Sequence, residues 1–156
     1  MLAAGSPAPA FALPDQDGNE VSLAELKGQT VVLYFYPRAD TPGCTVQASG
    51  VRDRSADYET AGARVIGISP DPVRRIKRFA DGQSLNFTLL ADEEHAVADA
   101  FGVWGEKSFA GKKYMGVTRS TFIIRPDGTI AKVFEKVSPK THDDVVLEAL
   151  GELSPA

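Results

Sequence analysis

The chain has 156 residues, of which 43% are hydrophobic, and this is enough apolar material for one substantial core. Its formal net charge is −4 and no run of basic residues occurs, so nucleic acid and anionic membrane surfaces are poor candidates as partners. We therefore expect a single domain that spans residues 1–156 and acts on small neutral or solvated molecules.

The N-terminal segment, the hydropathy and the few Cys and His residues restrict the location and the cofactors of the protein. The segment 1–18 lacks a positively charged start and is interrupted by three prolines, so it does not resemble an export signal. No window approaches the roughly 20 apolar residues that span a bilayer. Beside the single cysteine, Cys44, the chain has only His95 and His142, without zinc-ligand spacing. We therefore expect a cytoplasmic protein with no metal and no organic cofactor.

Hydrophobic runs predict the strands of a layered α/β sheet. Val31–Tyr36, VVLYFY, is a continuous apolar run that is typical of a strand buried on both faces. A Pro-Asp-Gly turn joins the last two predicted strands into a hairpin. The remaining predicted strands are Val65–Ser69, Thr88–Ala91, Thr121–Ile124 and Thr129–Phe134.

Helical patterns lie between these strands. They cover Thr45–Ala61, Pro72–Ala80, Glu93–Phe101 and His142–Leu150. The polar stretch Gly105–Thr118 is predicted to be a solvated loop or a contact surface. It is not a phosphate-binding loop, because Lys112 is followed by Lys113 where that motif needs Ser or Thr.

The only cysteine lies where a strand, a turn and a helix meet. Thr41 followed by Pro42 predicts a helix start, with Thr41 as N-cap and Cys44 at the third helical position. Unpaired N–H groups and the positive end of the helix dipole favour an anion there. Free cysteines are usually structural and buried, but this position favours a reactive thiolate.

Two familiar kinds of thiol chemistry do not fit. A cysteine protease needs a histidine base, and neither His95 nor His142 lies near a recognisable motif, so we interpret both as surface or capping residues. A dithiol exchanger needs a Cys-x-x-Cys motif, and no second cysteine follows Cys44.

The segment Pro37–Cys44, PRADTPGC, matches the peroxiredoxin active-site pattern Pro-x-x-x-Thr-x-x-Cys. With YFYP at its start and TPGCT at its end, it resembles the PrxQ branch of that family, also called bacterioferritin comigratory protein. Further segments resemble the same branch in the same order along the chain. They are Phe11–Gly18, Gly67–Asp71, Phe87–Asp92, Phe101–Tyr114 and Arg119–Ile124.

The resemblance implies a thioredoxin-like fold, with a central mixed β-sheet flanked by helices, and a thiol-dependent peroxidase. It implies that Cys44 is the peroxidatic cysteine, that Thr41 presents its hydroxyl to the thiolate and the peroxide, and that Pro37 shields the pocket from water. Arg119 corresponds to the family's active-site arginine. Attack on an O–O bond needs a desolvated thiolate and a donor for the leaving oxygen, which these residues supply without a cofactor.

Each of these residues also has a simpler interpretation on its own. Thr41 is a typical N-cap, Pro37 a typical strand end, and Arg119 a typical surface residue of an amphipathic strand. The joint spacing favours the site. Gln47 stands where many members of the family carry Glu.

Ser49 occupies the position where many PrxQ proteins carry a resolving cysteine. Two Cα atoms five residues apart on a helix are separated by about 8 to 9 Å, which exceeds the ~7 Å that a disulfide spans. A disulfide between positions 44 and 49 would therefore require the helix to unwind. The pair Ser49-Gly50 would ease this unwinding, because both residues weaken a helix. Some relatives place that cysteine in the next helix, but Pro72–Ser84 contains none. Both a natural one-cysteine variant and an engineered Cys-to-Ser substitution remain open.

Three functions follow from these observations. We favour a peroxidase that reduces hydrogen peroxide and organic hydroperoxides through a sulfenic acid, with an external thiol such as thioredoxin, glutaredoxin or glutathione as reductant. The alternatives are a thioredoxin-like redox-sensing or binding module modified at Cys44, and an interaction domain in which Cys44 is inert. The PrxQ resemblance implies a monomer, because members of that branch are frequently monomers, and no long apolar stripe in the sequence argues otherwise.

Overall fold

A five-stranded sheet forms the centre of the computed structural model, which describes residues 1–153. The strands are β1 (Ala12–Pro14), β2 (Glu20–Ser22), β3 (Thr30–Phe35), β4 (Ala63–Ser69), β5 (Thr88–Ala91), β6 (Trp104–Phe109), β7 (Lys112–Val117), β8 (Ser120–Ile124) and β9 (Ile130–Phe134). The helices are α1 (Pro42–Asp53), α2 (Ser55–Thr60), α3 (Val73–Gly82), α4 (Ala96–Ala100) and α5 (His142–Leu153), and a short 3-10 turn covers Ala24–Leu26.

Strand β3 lies in the middle of this sheet, whose order is β5-β4-β3-β8-β9. It runs parallel to β4 and antiparallel to β8, while β4 pairs parallel with β5 and β8 pairs antiparallel with β9. The prediction of a central mixed sheet flanked by helices is therefore confirmed. β1 and β2, and likewise β6 and β7, form separate two-stranded sheets.

The side chains of β3 alternate between two apolar layers, one on each face of the sheet. Leu33 and Phe35 belong to the layer that includes residues of α4 and the segment around β2. Val32 and Tyr34 belong to the other layer, where residues of α1, α3 and α5 pack. Cys44 lies in this second layer, so the fold places the single thiol between the sheet and its helices.

The predicted helix Thr45–Ala61 is two helices in the structure. α1 ends at Asp53 and α2 begins at Ser55. Arg54 separates them because its backbone leaves the helical region, with φ −102° and ψ 15°. Both segments carry the same helical periodicity, which therefore gave no sign of the break.

The predicted helix Glu93–Phe101 is shorter in the structure and begins at Ala96. The buried carboxylate of Asp92 accepts hydrogen bonds from the N–H groups of Val97 and Ala98 at 3.1 and 2.9 Å. These bonds satisfy amides of the first helical turn and fix where α4 starts.

The prediction of a solvated loop at Gly105–Thr118 is wrong, because β6 and β7 form a hairpin there. Phe109 lies opposite Lys112, and the two residues between them, Ala110 and Gly111, have φ values of 52° and 80°. Two successive left-handed residues form the tight turn that suits a twisted hairpin. The outer part of the hairpin is exposed on both faces, so no alternation of apolar and polar residues marks it.

Candidate active site

The site lies at the edge of the sheet where the parallel strands β3 and β4 both end. The loop after β3 leads into α1, and the loop after β4 carries Asp71, whose side chain is buried. The Asp71 carboxylate accepts a hydrogen bond from the N–H of Ala39 at 2.8 Å. Asp71 therefore ties the loop that precedes α1 to the end of β4.

The loop after β3 enters α1 through an unusual backbone turn. Asp40 has a φ of 63°, and Thr41 returns to extended geometry as the N-cap of α1 with Pro42 as its first residue. The predicted helix start is thus confirmed, but the Thr41 hydroxyl caps no amide. It donates instead to the carbonyl of Arg38 at 2.8 Å, which leaves its lone pairs free to accept a hydrogen bond.

Cys44 is the third residue of α1 and is a free thiol with 2% of its surface exposed. Near the start of a helix, backbone N–H groups lack intrahelical acceptors and the dipole is positive. Burial removes most of the competing water. The sulfur is therefore held where an anion gains from the helix but has little solvation of its own.

Arg119, the residue before β8, also reaches this sulfur. Its Nη2 lies 3.4 Å from Cys44 Sγ, and its Nη1 donates to Gln47 Oε1 at 2.6 Å. The contact follows from the sheet, because antiparallel pairing sets Phe35, at the end of β3, opposite Ser120, at the start of β8. The simpler interpretation of Arg119 as a solvated surface residue does not describe this geometry.

Gln47 completes a group of three polar side chains. It lies one turn beyond Cys44 on α1 and is fully buried. Within residues 1–153 its Nε2 has no hydrogen-bond partner, and no carboxylate forms an ion pair with Arg119. A neutral amide orients the guanidinium without cancelling its charge, so that charge remains available to the sulfur.

Two buried tyrosines line the core beneath the thiol. Burial raises the pKa of Tyr34 and of Tyr36, and a negative charge on Cys44 raises both further, so both phenols stay protonated at neutral pH. The ring of Tyr34 fits because β4 has Gly67 beside it, where a Cβ would lie 2.8 Å from Tyr34 Cζ. The wall behind the sulfur is therefore neutral and tightly filled.

The other two predicted site residues lie before and after Cys44 along the chain. Pro37 is in the loop after β3 and is half-buried, and Ser49 lies half-buried within α1, which is unbroken there. Gly50 has a packing role of its own, because a Cβ on it would lie 2.5 Å from Asp143 Oδ2. The glycine thus allows α1 to approach α5 closely.

The histidines were interpreted as surface or capping residues, and only one of them is. His95 is the N-cap residue of α4 and stacks on Trp104 at a ring distance of 3.9 Å. His142 is instead fully buried, with Nε2 2.9 Å from Thr121 Oγ1. Its position at the first turn of a helix gave no sign that α5 turns this residue toward the sheet.

Asp71 was not among the predicted site residues, although it lies in Gly67–Asp71, a segment that resembles the PrxQ branch. The signal was an aspartate two residues beyond a buried strand that runs parallel to the strand before the cysteine loop. The ends of such strands meet at one edge of a sheet, where side chains from different loops converge.

The profile of the AhpC/TSA family matches residues 4–133. The chain belongs to this family. Among curated relatives, peroxiredoxin Bcp of Escherichia coli K12 is 54% identical over 151 residues, which cover 97% of each chain. At this identity and coverage, the chain is a peroxiredoxin, a thiol peroxidase that uses a peroxide and a thiol reductant.

Solved structures identify the branch of the family and its fold. Peroxiredoxin Q of Xanthomonas campestris superposes with a TM-score of 0.91 at 33% identity, over 97% of this chain and 99% of that one. The bacterioferritin comigratory protein of the same organism, studied for its alkyl peroxide reduction activity, gives 0.89 at 33% identity over 96% and 98%. The PrxQ resemblance and the thioredoxin-like fold are therefore confirmed.

None of the helices in residues 1–153 is long and apolar enough to cross a membrane. Across the same residues, no three side chains among His, Cys, Asp and Glu cluster as a metal ion would require.

Proposed function

We propose that Cys44 is the peroxidatic cysteine and that it reduces hydrogen peroxide and organic hydroperoxides. The Cys44 thiolate attacks the terminal peroxide oxygen and the O–O bond breaks. The other oxygen leaves as water or alcohol after it takes up a proton, and Cys44 becomes a sulfenic acid. The observation that carries this proposal is the 3.4 Å contact between Arg119 Nη2 and Cys44 Sγ at the start of α1.

The neighbours of Cys44 supply what this reaction needs. The Arg119 fork can contact the sulfur and the leaving oxygen together. The hydroxyl of Thr41 accepts a hydrogen bond from the peroxide O–H, because its own proton is already donated to Arg38. Pro37 limits the access of water at the start of the loop.

Ser49 confines the chain to a one-cysteine cycle. A serine cannot condense with a sulfenic acid, so an external thiol such as thioredoxin, glutaredoxin or glutathione must reduce Cys44. Without that thiol, further peroxide converts the sulfenic acid to sulfinic and sulfonic acids. A natural variant and an engineered substitution would behave alike in this respect.

We also propose that residues 1–156 act as one domain and as a monomer. Both apolar layers contain residues of β3, which supports one cooperative folding unit. Sedimentation equilibrium and a single unfolding transition are the measurements that test these two points.

The test is intact-mass kinetics after one equivalent of hydrogen peroxide. We expect Cys44 to gain one oxygen atom far faster than a free cysteine does, and Arg119→Ala to slow this step by about 100-fold or more. Arg125→Ala is the matched control, since this exposed arginine follows the other end of β8. Oxidation no faster than that of a free thiol would disprove the proposal.

Turnover separates this function from a redox sensor. With dithiothreitol or thioredoxin present, a peroxidase consumes a large excess of peroxide, whereas a sensor stops after one equivalent. Slow labelling of Cys44 that requires denaturant would instead indicate an inert buried thiol.

A further inference from the structure

A cavity of about 330 Å³ adjoins the candidate active site. It is lined by Lys107, Thr118, Arg119, Lys136 and Val137. Arg119 belongs both to this cavity and to the contact with Cys44 Sγ. A molecule that occupies the cavity would therefore lie beside the arginine that touches the reactive sulfur.

Three of the lining side chains are cations, and none has an acidic partner. Within residues 1–153, no ion pair involves Lys107, Arg119 or Lys136. Burial, followed by the charges of Arg119 and Lys136, lowers the pKa of Lys107. Like charges that converge on one cavity without a carboxylate favour an anion from outside.

Hydrogen bonds of the fold place Lys107 and Lys136 near Arg119. Lys107 Nζ donates to the carbonyl of Val117 at 2.8 Å, which fixes the ammonium group across the β6–β7 hairpin. Lys136 lies beyond β9 in the left-handed region with a φ of 53°, and the next residue, Val137, donates its N–H to the Arg119 carbonyl at 3.0 Å. Lys107 is thus held by its own side-chain bond, whereas the backbone of Lys136 is placed near Arg119 by the bond of its neighbour Val137.

Apolar surface continues from the cavity along the hairpin. Tyr114 lies opposite Lys107, and the alternation of strand side chains puts Phe109 on the same face as Lys107. Phe109 and Tyr114 are 76% and 49% exposed. A charged cavity with an apolar extension suits an anion that carries a hydrocarbon portion.

We propose that Lys107 and Lys136 form a carboxylate-binding subsite for the small molecule that reacts at Cys44. This rests on the proposed peroxidase function. The carboxylate can come from either of two sources, an organic hydroperoxide acid in the oxidation step or a thiol acid in the reduction step. In the second step the thiol sulfur bonds to Cys44 Sγ, the hydroxyl leaves as water, and a second thiol releases Cys44 from the mixed disulfide.

The experiment compares acids with their methyl esters, which differ in charge. The oxidation of Cys44 is measured with linoleic acid hydroperoxide and with its methyl ester. The reduction of the sulfenic acid is measured with 3-mercaptopropionate and its methyl ester, with each rate divided by the thiolate concentration.

In at least one of these two reactions we expect the wild type to react faster with the acid than with the ester. We expect Lys107→Gln or Lys136→Gln to reduce this acid-to-ester rate ratio by about fivefold. High salt should reduce the ratio as well.

Lys113→Gln is the matched control, because it also removes one positive charge from the hairpin. Lys113 pairs with Glu106 at 3.4 Å and lies on the face opposite Lys107, so its loss should leave the ratio unchanged. The exposed Lys136 provides a second variant if Lys107→Gln does not fold. A change in the hydroperoxide arm assigns the subsite to the oxidant, and a change in the thiol arm assigns it to the reductant.

Equal rates for acid and ester in both arms would overturn the subsite, as would an equal effect of Lys113→Gln. These outcomes differ from a failure of the proposed function. If hydrogen peroxide and the ester hydroperoxide both fail to oxidise Cys44, the peroxidase proposal itself is wrong. If they react but charge gives no preference, only the subsite is rejected.

Discussion

Asp71 Oδ2 accepts a hydrogen bond from the backbone N–H of Ala39 at 2.8 Å, across a sequence separation of 32 residues. This bond fixes the loop just before Asp40 takes up its left-handed geometry. The direction in which α1 leaves the sheet, and with it the position of Cys44, therefore depends on a carboxylate from a different loop.

Replacing this carboxylate should affect both stability and rate. In Asp71→Ala the buried N–H of Ala39 loses its acceptor, so we expect a loss of about 1 to 3 kcal/mol in the free energy of unfolding and slower oxidation of Cys44. Urea unfolding and peroxide kinetics measure the two effects. Arg75→Ala is the control, because it breaks only the partly exposed Asp71–Arg75 pair at 3.5 Å and should cost about 1 kcal/mol or less.

A carboxylate in place of Gln47 should slow the peroxide reaction. In Gln47→Glu the new charge would pair with Arg119, which now donates to Gln47 at 2.6 Å, and would repel the thiolate. We expect oxidation at neutral pH to slow by about tenfold. Gln47→Met loses the hydrogen bond but adds no charge, so stopped-flow rates should rank it above Gln47→Glu. The reverse order would contradict the role given to the neutral amide.

A second cysteine at position 49 should make oxidation unwind α1. Cys44 and Ser49 both lie within the unbroken helix Pro42–Asp53, and the ~8 to 9 Å between such Cα atoms exceeds the reach of a disulfide. Oxidised Ser49→Cys should therefore form the disulfide and lose helical circular dichroism, whereas the wild type should keep it. The same variant with Cys44→Ser serves as control. A disulfide formed with full helicity would refute this expectation.

Tyr58 should make the folded chain sensitive to alkali. Burial, and next the charge of Asp143, raise the pKa of Tyr58 above the ~10 of an unfolded tyrosine. The folded state then holds the phenol proton more tightly, so this contribution to stability is complete below pH ~10 and is lost as the pH rises above it.

We expect the free energy of unfolding of Tyr58→Phe to fall less steeply above pH ~10 than that of the wild type. Urea titrations across this pH range measure the slope. Tyr114→Phe, at an exposed hairpin position, should keep the wild-type slope. An unchanged slope in Tyr58→Phe would show that the Tyr58–Asp143 hydrogen bond does not couple folding to this proton.

The buried sheet could be predicted from the sequence because its strands are continuous apolar runs. Thr88–Ala91 has the predicted bounds. Val31–Tyr36 differs from β3 by one residue at each end, and Val65–Ser69 differs from β4 by two residues at its start. β1 and β2 were missed. Each has three residues, which is too short to show a period.

The local part of the site could also be predicted, because capping and spacing act over a few residues. The helix start at Thr41 and the position of Cys44 in its first turn follow from neighbouring residues. The contact between Arg119 and Cys44, 75 residues apart, depends on the register of β3 against β8. It could therefore be predicted only from the family resemblance. The Asp71–Ala39 bond depends on which strand ends share an edge, so the position of Asp71 just beyond a buried strand points to the site only when the parallel pairing of β3 and β4 is known.

Cys44 exposes 2% of its surface, and this burial bears on how long the oxidised protein lasts. If Cys44 takes up an oxygen as proposed, a reductant as large as a folded domain cannot touch the sulfur unless the first turn of α1 opens. The rate at which such a partner reduces the oxidised form is then limited by how often that turn opens, so the packing of α1 against the core sets how long the oxidation lasts.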